Sequence, residues 1–305
     1  PEVRRKHVMS PSWSNPVVQR IAAGEDLDGL YDGLLLICSW PMPRHVQAQY
    51  KEFRDAMIKA LPEEAYVYPA STLHCTITTL RAFTAGKLED DAVAEARARW
   101  IATLDAARAN PEWPKGSFKL RMNAPTLEGS AGVFRYEDCD GAIEQMRKCV
   151  RAAILEHGGI AAEGGSDKSK AKPLAGSPAG EPAPHIPDIV HSTAVRWTAD
   201  VSDKAAAQLA FKEVAAKWTP IEITATAAWA VQETVPFMHI STSTRPWWTS
   251  DIVKPLSPAA AWLKELAEAL VSLLLPFLYI YYAIYASGKM PGKVGSDSRL
   301  HPLAN

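Results

Sequence analysis

The sequence has little of what marks several common classes of protein. Only four cysteines occur among its 305 residues, none in a Cys-x-x-Cys pair or near a histidine at zinc-finger spacing, which argues against a zinc finger and favours reduced thiols in a cytosolic compartment. The formal net charge is -1, so no global field attracts nucleic acid, and contact with RNA requires a local basic patch. No apolar run opens the chain, and we expect no secretory signal peptide.

What is present is the composition of an ordinary globular protein. Hydrophobic residues make up 47% of the chain and charged residues 22%, and the length is sufficient for a real core. Residues 1–29 are polar and irregular, and we predict a poorly ordered lead-in there. The folded domain is expected over residues 30–245, followed by a linker and a short helix over 246–268.

Hydrophobic periodicity divides this domain into two halves with the same order of elements. The patterns predict strands over 34–38, 66–80, 118–122, 132–136 and 189–197, helices over 45–60, 87–108, 140–156 and 204–217, and two final strands within 221–241 that break near Pro236. Each half therefore contains a helix, a strand with a histidine, a second helix and a pair of strands. The order predicts an α+β fold with two pseudo-symmetric lobes of antiparallel sheet and flanking helices around a central cleft.

Residues 158–187 differ from the rest of the domain. Gly, Ser, Pro, Ala and Lys dominate there, and there is almost nothing to bury. We predict a flexible insert before the strand that carries the second histidine.

Two histidines occupy matching places in the two halves. His74 and Thr76 belong to the predicted strand of the first half, and His191 and Thr193 to that of the second. Residues two apart on a strand point to the same face, so each histidine shares a face with its threonine, and the residue between them points the other way and is predicted to pack. If the lobes face each other, two imidazoles and two hydroxyls converge in one cleft.

Such a set suits phosphodiester chemistry. An imidazole has a pKa of about 6.5, so one histidine can be neutral and its partner protonated near neutral pH. The neutral one takes a proton from the attacking water or hydroxyl, and the protonated one gives a proton to the leaving oxygen. The threonine hydroxyls can donate hydrogen bonds to non-bridging phosphate oxygens, where charge builds. No metal or other cofactor is required, and the residues alone leave open which histidine is the acid.

The spacing by itself is a weak signal. The chain has eight histidines, and a third match occurs at His239-Ile240-Ser241, in the last predicted strand. We interpret His239 as a decoy that could line the cleft. For a single His-x-Thr the structural alternative is a strand whose histidine bonds to backbone, but the matched pair favours the catalytic interpretation.

The paired motifs resemble those of the two-histidine (2H) phosphoesterases, which include the RNA 2',3'-cyclic phosphodiesterases of the LigT type. Residues 68–74 are similar to the approach to the first motif in that family, and residues 231–238 to the strand after the second. The resemblance covers roughly residues 30–245 and implies a bilobal fold, metal-free catalysis by the two histidines and phosphate binding by the two threonines. Two departures concern the subfamily and the substrate: the insert is longer than usual, and Ala194 is small where a larger aliphatic is common.

Further residues are candidates for contact with the substrate. Arg81 and Arg196 follow the two motifs by similar distances and could meet a phosphate, the alternative being a solvated strand end. Trp229 and Phe237 could stack on a base, although such aromatics more often belong to the core. His239 completes this group.

An apolar run without a charged residue occupies residues 269–287. Its length is close to the roughly 20 residues that span a bilayer, and tyrosines crowd its second half as in an interfacial aromatic belt. We expect a tail anchor there, with residues 288–305 as a short tail and the enzyme on the cytosolic face of an intracellular membrane. The alternative is a helix packed on the globular domain.

The sequence therefore predicts a phosphodiesterase that acts on 2',3'-cyclic phosphates, on RNA ends or on a free cyclic nucleotide. The alternatives are a 3'-end exoribonuclease or a 2',5'-phosphodiesterase on the same fold, and a membrane-anchored module that binds a nucleotide without turnover. A long basic groove would favour RNA cleavage, and a small closed pocket the cyclic ester. No obligate protein partner is expected.

Overall fold

A computed structural model describes residues 13–164, 168–237, 244–250 and 274–275 of the chain. The chain divides into two units, Pro1–Val253 and Lys254–Asn305, and the second is described only at Leu274 and Leu275. The predicted anchor at 269–287 and the tail at 288–305 otherwise lie outside the described residues and stay predictions. Within the described ranges, no helix is long and apolar enough to cross a membrane.

The described part of the first unit alternates helices and strands. The α-helices are α1 (Pro16–Ala22), α2 (Arg44–Ala60), α3 (Asp90–Ala109), α4 (Ala142–Glu156) and α5 (Lys204–Ala215), and short 3-10 helices lie at Ala70–Thr72, Phe83–Ala85 and Lys168–Lys170. The strands are β1 (Gly33–Cys38), β2 (Ala65–Val67), β3 (Cys75–Arg81), β4 (Phe118–Met122), β5 (Thr126–Glu128), β6 (Ala131–Asp138), β7 (Ala162–Glu163), β8 (His185–Ile186), β9 (His191–Trp197), β10 (Ile221–Ala225), β11 (Ala228–Glu233) and β12 (Trp248–Thr249).

These strands form two sheets, which confirms the predicted α+β class. The first sheet has the order β12-β11-β1-β3-β8-β7, and the second has the order β10-β4-β6-β9-β2 with β5 paired to β6. Neighbouring strands are antiparallel except for β7 and β8. One of the inner strands of each sheet, β3 in the first and β9 in the second, thus lies next to a predicted catalytic histidine.

The two sheets do not follow the two halves of the sequence. β2 comes from the first half but pairs with β9 in the second sheet, and β11 comes from the second half but pairs with β1 in the first sheet. The crossing between sheets occurs at Thr226–Ala227, between β10 and β11, a break that the sequence did not predict. The reason is pairing: β11 matches β1 without interruption from Ala228 to Glu233. β11 ends at Glu233, and the part of the predicted final strand beyond residue 237 lies outside the described residues.

One extended hydrophobic core joins the helices to the sheets. α2 buries Val46, Tyr50, Phe53 and Met57 in this core, whereas Ile58 is 50% exposed. Ring contacts of α2 continue into the second sheet, because Phe53 lies 5.1 Å from Phe134 between ring centroids. This packing fixes the sheet that carries the second histidine.

Part of the predicted lead-in is structured. Trp13 is buried and stacks on Trp197 with ring centroids 4.9 Å apart. The side chain of Asn15 accepts hydrogen bonds from the backbone N–H groups of Val17 and Val18 and so caps α1, with Pro16 at the first helical position. The Asn-Pro pair was a sequence signal for a helix start that the prediction missed.

The insert and the predicted linker also contribute to the first sheet. β7 and β8 belong to the insert, where Leu174 is 5% and Ile186 is 3% exposed, so the expectation that the insert has nothing to bury is wrong. β12 lies in the predicted linker and pairs with β11. Local composition did not reveal these contacts because the partners are distant in sequence.

Candidate active site

The two predicted histidines stand at the starts of the inner strands. His74 directly precedes β3, so it lies just outside the observed strand, whereas the sequence predicted a strand over 66–80 that includes it; a 3-10 turn at Ala70–Thr72 leads into it. His191 opens β9. We call His74, Thr76 and Thr79 the first half-site, and the matching residues His191, Thr193 and Arg196 of β9 the second half-site.

Both strands carry a β-bulge just after the motif. Opposite β1, Ile37 pairs with Thr76 and Leu36 with Thr78, so Ile77 is an extra residue. Opposite β6, Val133 pairs with Thr193 and Gly132 with Val195, so Ala194 is the extra residue. The bulges match in position, which extends the predicted pseudo-symmetry to single residues.

The bulges decide which later residues face the site. Strict alternation would turn Thr79 and Arg196 away from the histidines, whereas one extra residue returns each of them to the same face. Both side chains line the cavity that the histidines face. The counterpart of Arg196 is therefore Thr79 and not Arg81, as the sequence had suggested.

A cavity of about 710 Å³ contains both half-sites. Its wall includes all four residues of the predicted catalytic and phosphate-binding set, namely His74, Thr76, His191 and Thr193. The structure thus brings the pair His74 and Thr76 together with the pair His191 and Thr193, although more than a hundred residues separate the two pairs in the sequence.

His74 is held in a defined orientation. Its Nδ1 lies 2.8 Å from the carbonyl oxygen of Thr72, and because a carbonyl only accepts, Nδ1 carries the proton in the neutral ring and Nε2 has the free lone pair. Burial, with a smaller contribution from the neighbouring His191, lowers the pKa of His74 to about 4 against the opposing effect of that carbonyl. His74 is therefore a neutral proton acceptor near pH 7.

His191 has different surroundings. Its Nδ1 is buried and has no hydrogen-bond partner. Burial lowers the pKa of His191, while the Ile189 carbonyl and the Glu128 carboxylate raise it. The Ile189 carbonyl occupies the place that Thr72 has before His74, and it also accepts a 2.9 Å hydrogen bond from Arg147.

Arg147 of α4 connects the two half-sites from behind. It is 3% exposed, and besides Ile189 it donates to the carbonyl oxygens of Ile77 at 3.1 Å and Thr76 at 3.4 Å. Its guanidinium therefore holds the bulge of β3 and the residues before β9 in one network. Nothing in the sequence around Arg147 indicated this role.

A second link runs through Ser192, which the sequence assigned to packing. Its hydroxyl donates to the carbonyl oxygen of His74, and Tyr136 donates to the Ser192 oxygen at 2.9 Å. Ser192 is buried, as predicted, but it joins the backbone of one half-site to the strand of the other. Cys75, the matching residue in the first motif, is fully buried.

One end of the cavity combines a cation with aromatic rings. The guanidinium carbon of Arg196 lies 4.2 Å from the ring centroid of Phe237, and Phe83 meets the same ring edge-to-face at 5.0 Å. Phe237 has a φ of 65°, an uncommon conformation for a bulky residue, and it lines the cavity. The predicted contacts Arg196 and Phe237 thus lie together in the site.

Arg81 is elsewhere, which corrects the prediction of a phosphate contact. It is 2% exposed and lies on the face opposite to Thr79, because Leu80 is a second extra residue in β3. Its guanidinium pairs with Glu181 at 3.0 Å and donates to the backbone carbonyl of Gly86. Arg81 has structural partners and no access to the cavity.

The next predicted substrate contact is Trp229. Trp229 is half-buried among Leu35, Ile37, Trp40 and Val231, outside the cavity lining. Its cross-strand partner is Ile37, whose other partner is Thr76, so Trp229 lies on the face of the catalytic residues two strands away. A contact with a base there stays a prediction.

His239 lies outside the described residues, and the role suggested for it stays a prediction.

Other lining residues were missed by the sequence argument. His185, from the insert, is a third histidine of the cavity, and Asp188 and Glu233 bring carboxylates to it. His185 could have been found only through its pairing with Thr79 across β8 and β3.

Comparison with known proteins gives similar structures and no sequence match. No family model and no curated protein matches the chain. Similar solved structures include the protein TT0787 of Thermus thermophilus (14% identity, 71% of this chain and 96% of that one, TM-score 0.41). Apo LigT of E. coli (14%, 72% and 96%, 0.38) and a protein described as a phosphoesterase (12%, 72% and 97%, 0.40) are also similar. These identities and TM-scores are low.

Proposed function

We propose that the protein is a metal-independent phosphodiesterase that hydrolyses a 2',3'-cyclic phosphate or a related nucleotide phosphodiester. The observation that carries the proposal is the pair of His-x-Thr motifs at matching positions of two bulged strands, with all four side chains lining one cavity. The same pairing of acid, base and hydroxyl donors is what phosphodiester hydrolysis without a metal needs.

His74 is the general base in this proposal. The Thr72 carbonyl fixes the proton on Nδ1, so Nε2 can accept a proton from the attacking water. The water oxygen then forms a bond to phosphorus. A pKa of about 4 keeps His74 neutral over most of the pH range in which the protein is expected to work.

His191 is the general acid. The Glu128 carboxylate favours its charged form, and a bound phosphoester anion adds to this effect, because an opposite charge raises the pKa of an imidazole. As the bond from phosphorus to the ribose oxygen breaks, His191 gives its proton to that oxygen. The next turnover begins when His191 recovers a proton and His74 releases one.

The hydroxyls of Thr76 and Thr193 donate to the two non-bridging oxygens, and the guanidinium of Arg196 adds positive charge at the same cavity wall. Each donor is held on a strand, so little reorganisation accompanies the reaction. The same chemistry would serve a 3'-end exoribonuclease or a 2',5'-phosphodiesterase, and the linkage and the size of the preferred substrate separate these alternatives.

Hydrolysis of adenosine 2',3'-cyclic phosphate by the full chain, with EDTA present, tests the proposal. We expect turnover that falls at least about 1,000-fold in His74→Ala and in His191→Ala. His45→Ala is the matched control, because His45 is exposed and bonds to the backbone of Glu222. The control should retain the parent rate.

Loss of turnover on adding EDTA would contradict the metal-free mechanism. Absence of turnover on cyclic, 2',5'- and 3',5'-linked substrates alike, with the parent folded and the cyclic nucleotide bound, would favour the non-catalytic binding module instead.

A further inference from the structure

We propose that the insert acts as a wall that limits the cavity to a nucleotide-sized ester, so that the substrate is a free cyclic nucleotide and not the end of an RNA chain. The insert wall is defined as the described residues 158–164 and 168–187. This inference rests on the proposed phosphodiesterase function and adds the size class of its substrate.

The insert wall is fastened to the first sheet by a strand and an ion pair. β8 extends the sheet beside β3, with His185 paired to Thr79 of the first half-site. Further along, Glu181 pairs with Arg81 at 3.0 Å, and their side chains are only 9% and 3% exposed. A buried, hydrogen-bonded ion pair between segments distant in sequence holds the wall in one position.

Apolar burial supports the same attachment. Leu174 and Ile186 of the wall are buried in the unit. A β-carbon on Gly159 would lie 3.1 Å from both Ile154 and Leu174, which shows how closely the wall approaches α4. The wall is thus packed against the domain and is expected to keep its place when substrate binds.

The wall presents small apolar groups and one imidazole to the cavity. The contributing residues are Ala162, Ala171, Pro182, Ala183, His185 and Pro187. No lysine or arginine is among these wall residues, and the lysines on either side of Ala171, Lys170 and Lys172, are exposed and outside the lining.

The charge of the whole described lining is also unlike that of an RNA groove. Arg196 is its one arginine or lysine, and Asp188 and Glu233 are acidic. Proteins that follow a nucleic-acid strand need a row of cations along the phosphates. A single cation suits one phosphoester and not a chain of them.

The volume agrees with this charge argument. About 710 Å³ lies within the ~300–1,000 Å³ that is usual for small-molecule pockets. Aromatic rings at the Arg196 end offer an apolar surface for a base, so a nucleoside and its cyclic phosphate can occupy the cavity together.

The test compares substrates of increasing length that share the same reactive end. Adenosine 2',3'-cyclic phosphate and oligonucleotides of two, four and ten residues ending in that group are hydrolysed by the full chain, and kcat/KM is measured for each. We expect a fall of at least about tenfold from the mononucleotide to the ten-residue RNA. Equal or rising values with length would overturn the inference while leaving the phosphodiesterase proposal intact.

A weaker attachment of the insert wall to the domain should reduce the preference for the mononucleotide over the longer substrates. Glu181→Gln removes the charge that pairs with Arg81, and we expect the preference for the mononucleotide to shrink to within about threefold. Glu163→Gln is the matched control, because Glu163 is a wall residue whose ion pair with Arg151 is exposed. An unchanged preference in a folded Glu181→Gln variant would contradict the role of the wall.

A second variant covers the case in which Glu181→Gln fails to fold. Ala183→Leu adds volume on the cavity side, and we expect KM for the cyclic mononucleotide to rise about tenfold. Ala179→Leu, on the exposed side of the wall, should match the parent. If Ala183→Leu also matches the parent, the wall does not touch the substrate and the inference is wrong. Failure of all substrates with the parent protein would instead count against the proposed function.

Discussion

The two half-sites have the same backbone and different chemistry. Each has a histidine at the start of an inner strand, a threonine two residues later and a bulge directly after it. At the position where the bulged strand returns to the cavity, the first half-site has Thr79 and the second has Arg196. The matching backbones place two equivalent sets of groups around one cavity, and the proposed roles of the two sets follow from the differences between their side chains.

The histidines differ in the same way. The carbonyl before His74 accepts from its Nδ1, whereas the carbonyl before His191 is bound by Arg147 and Nδ1 of His191 has no partner. Only His191 has a carboxylate, Glu128, among the groups that raise its pKa. In the proposed mechanism, these carbonyls and charges make one histidine of the pseudo-symmetric pair the base and the other the acid.

Replacing Arg147, which links the two half-sites, should have the largest effect on both of them. Replacing it by Met leaves the carbonyls of Thr76, Ile77 and Ile189 without a donor, so we expect kcat to fall about 100-fold and the free energy of unfolding to fall by about 3 kcal/mol. Steady-state kinetics and thermal unfolding measure the two effects. Arg147→Lys should recover part of kcat, which a purely structural residue would not require.

Arg151→Met is the control for that variant, because Arg151 lies one turn further along α4 with an exposed ion pair. An Arg147→Met variant that keeps the parent kcat and pH profile would show that the link between the half-sites is dispensable.

The threonines test whether both half-sites hold the phosphate. Thr76→Val and Thr193→Val keep the shape of the side chain and remove the donor, and each should lower kcat by about 10- to 100-fold. Thr79→Val should change kcat less than about threefold, since its counterpart Arg196 provides the charge. A result in which one of the two motif threonines has no effect would mean that only one half-site contacts the phosphate.

Arg196 should act mainly on binding. Its guanidinium is the cation at the cavity wall, so Arg196→Met should raise KM about tenfold with a smaller effect on kcat. Arg121→Met is a suitable comparison, because Arg121 is exposed, pairs with Glu137 and lies outside the cavity lining. A loss in kcat alone would instead place Arg196 among groups that act only in the transition state.

The smallest effect is expected in the pH profile. A base with a pKa of about 4 and an acid whose pKa is lowered from 6.5 give a kcat/KM that rises as His74 loses its proton and falls as His191 loses its own. The optimum should therefore lie below pH 6.5. Glu128→Gln removes a charge that raises the pKa of His191, so the alkaline limb should move to lower pH.

Glu137→Gln, an exposed acidic residue of β6 paired with Arg121, should leave both limbs in place. Movement of the acid limb instead of the alkaline limb in Glu128→Gln would reverse the assignment of the two histidines.

The two His-x-Thr motifs could be predicted from the sequence more readily than the residues that the bulged strands bring to the cavity. His74, Thr76, His191 and Thr193 could be predicted because a two-residue spacing on a strand is a local property. Thr79 and Arg196 face the cavity only because of bulges, which depend on the register with β1 and β6 and have no local mark in either strand. Arg81 was misjudged for the same reason, because a second extra residue at Leu80 turns it away from the cavity.

Long-range contacts explain the remaining errors. Arg147 lies in a helix whose pattern predicts only a buried face, and its three carbonyl partners come from two distant segments. The insert has the composition of a flexible segment, yet Glu181 finds its partner Arg81 in another part of the chain. Composition describes what a segment can bury alone and not what a distant partner lets it bury.

The most direct test of the account separates the acid from the base chemically. The product isomer first identifies which ribose oxygen leaves, and that bridging oxygen is then replaced by sulfur, which departs as a thiolate without a proton. On this analogue His191→Ala should approach the parent rate within about tenfold, while His74→Ala should stay at least about 1,000-fold slower, because only the base is still needed. Recovery of His74→Ala in place of His191→Ala would contradict the assignment of the half-sites, and recovery of neither would contradict the paired acid–base mechanism itself.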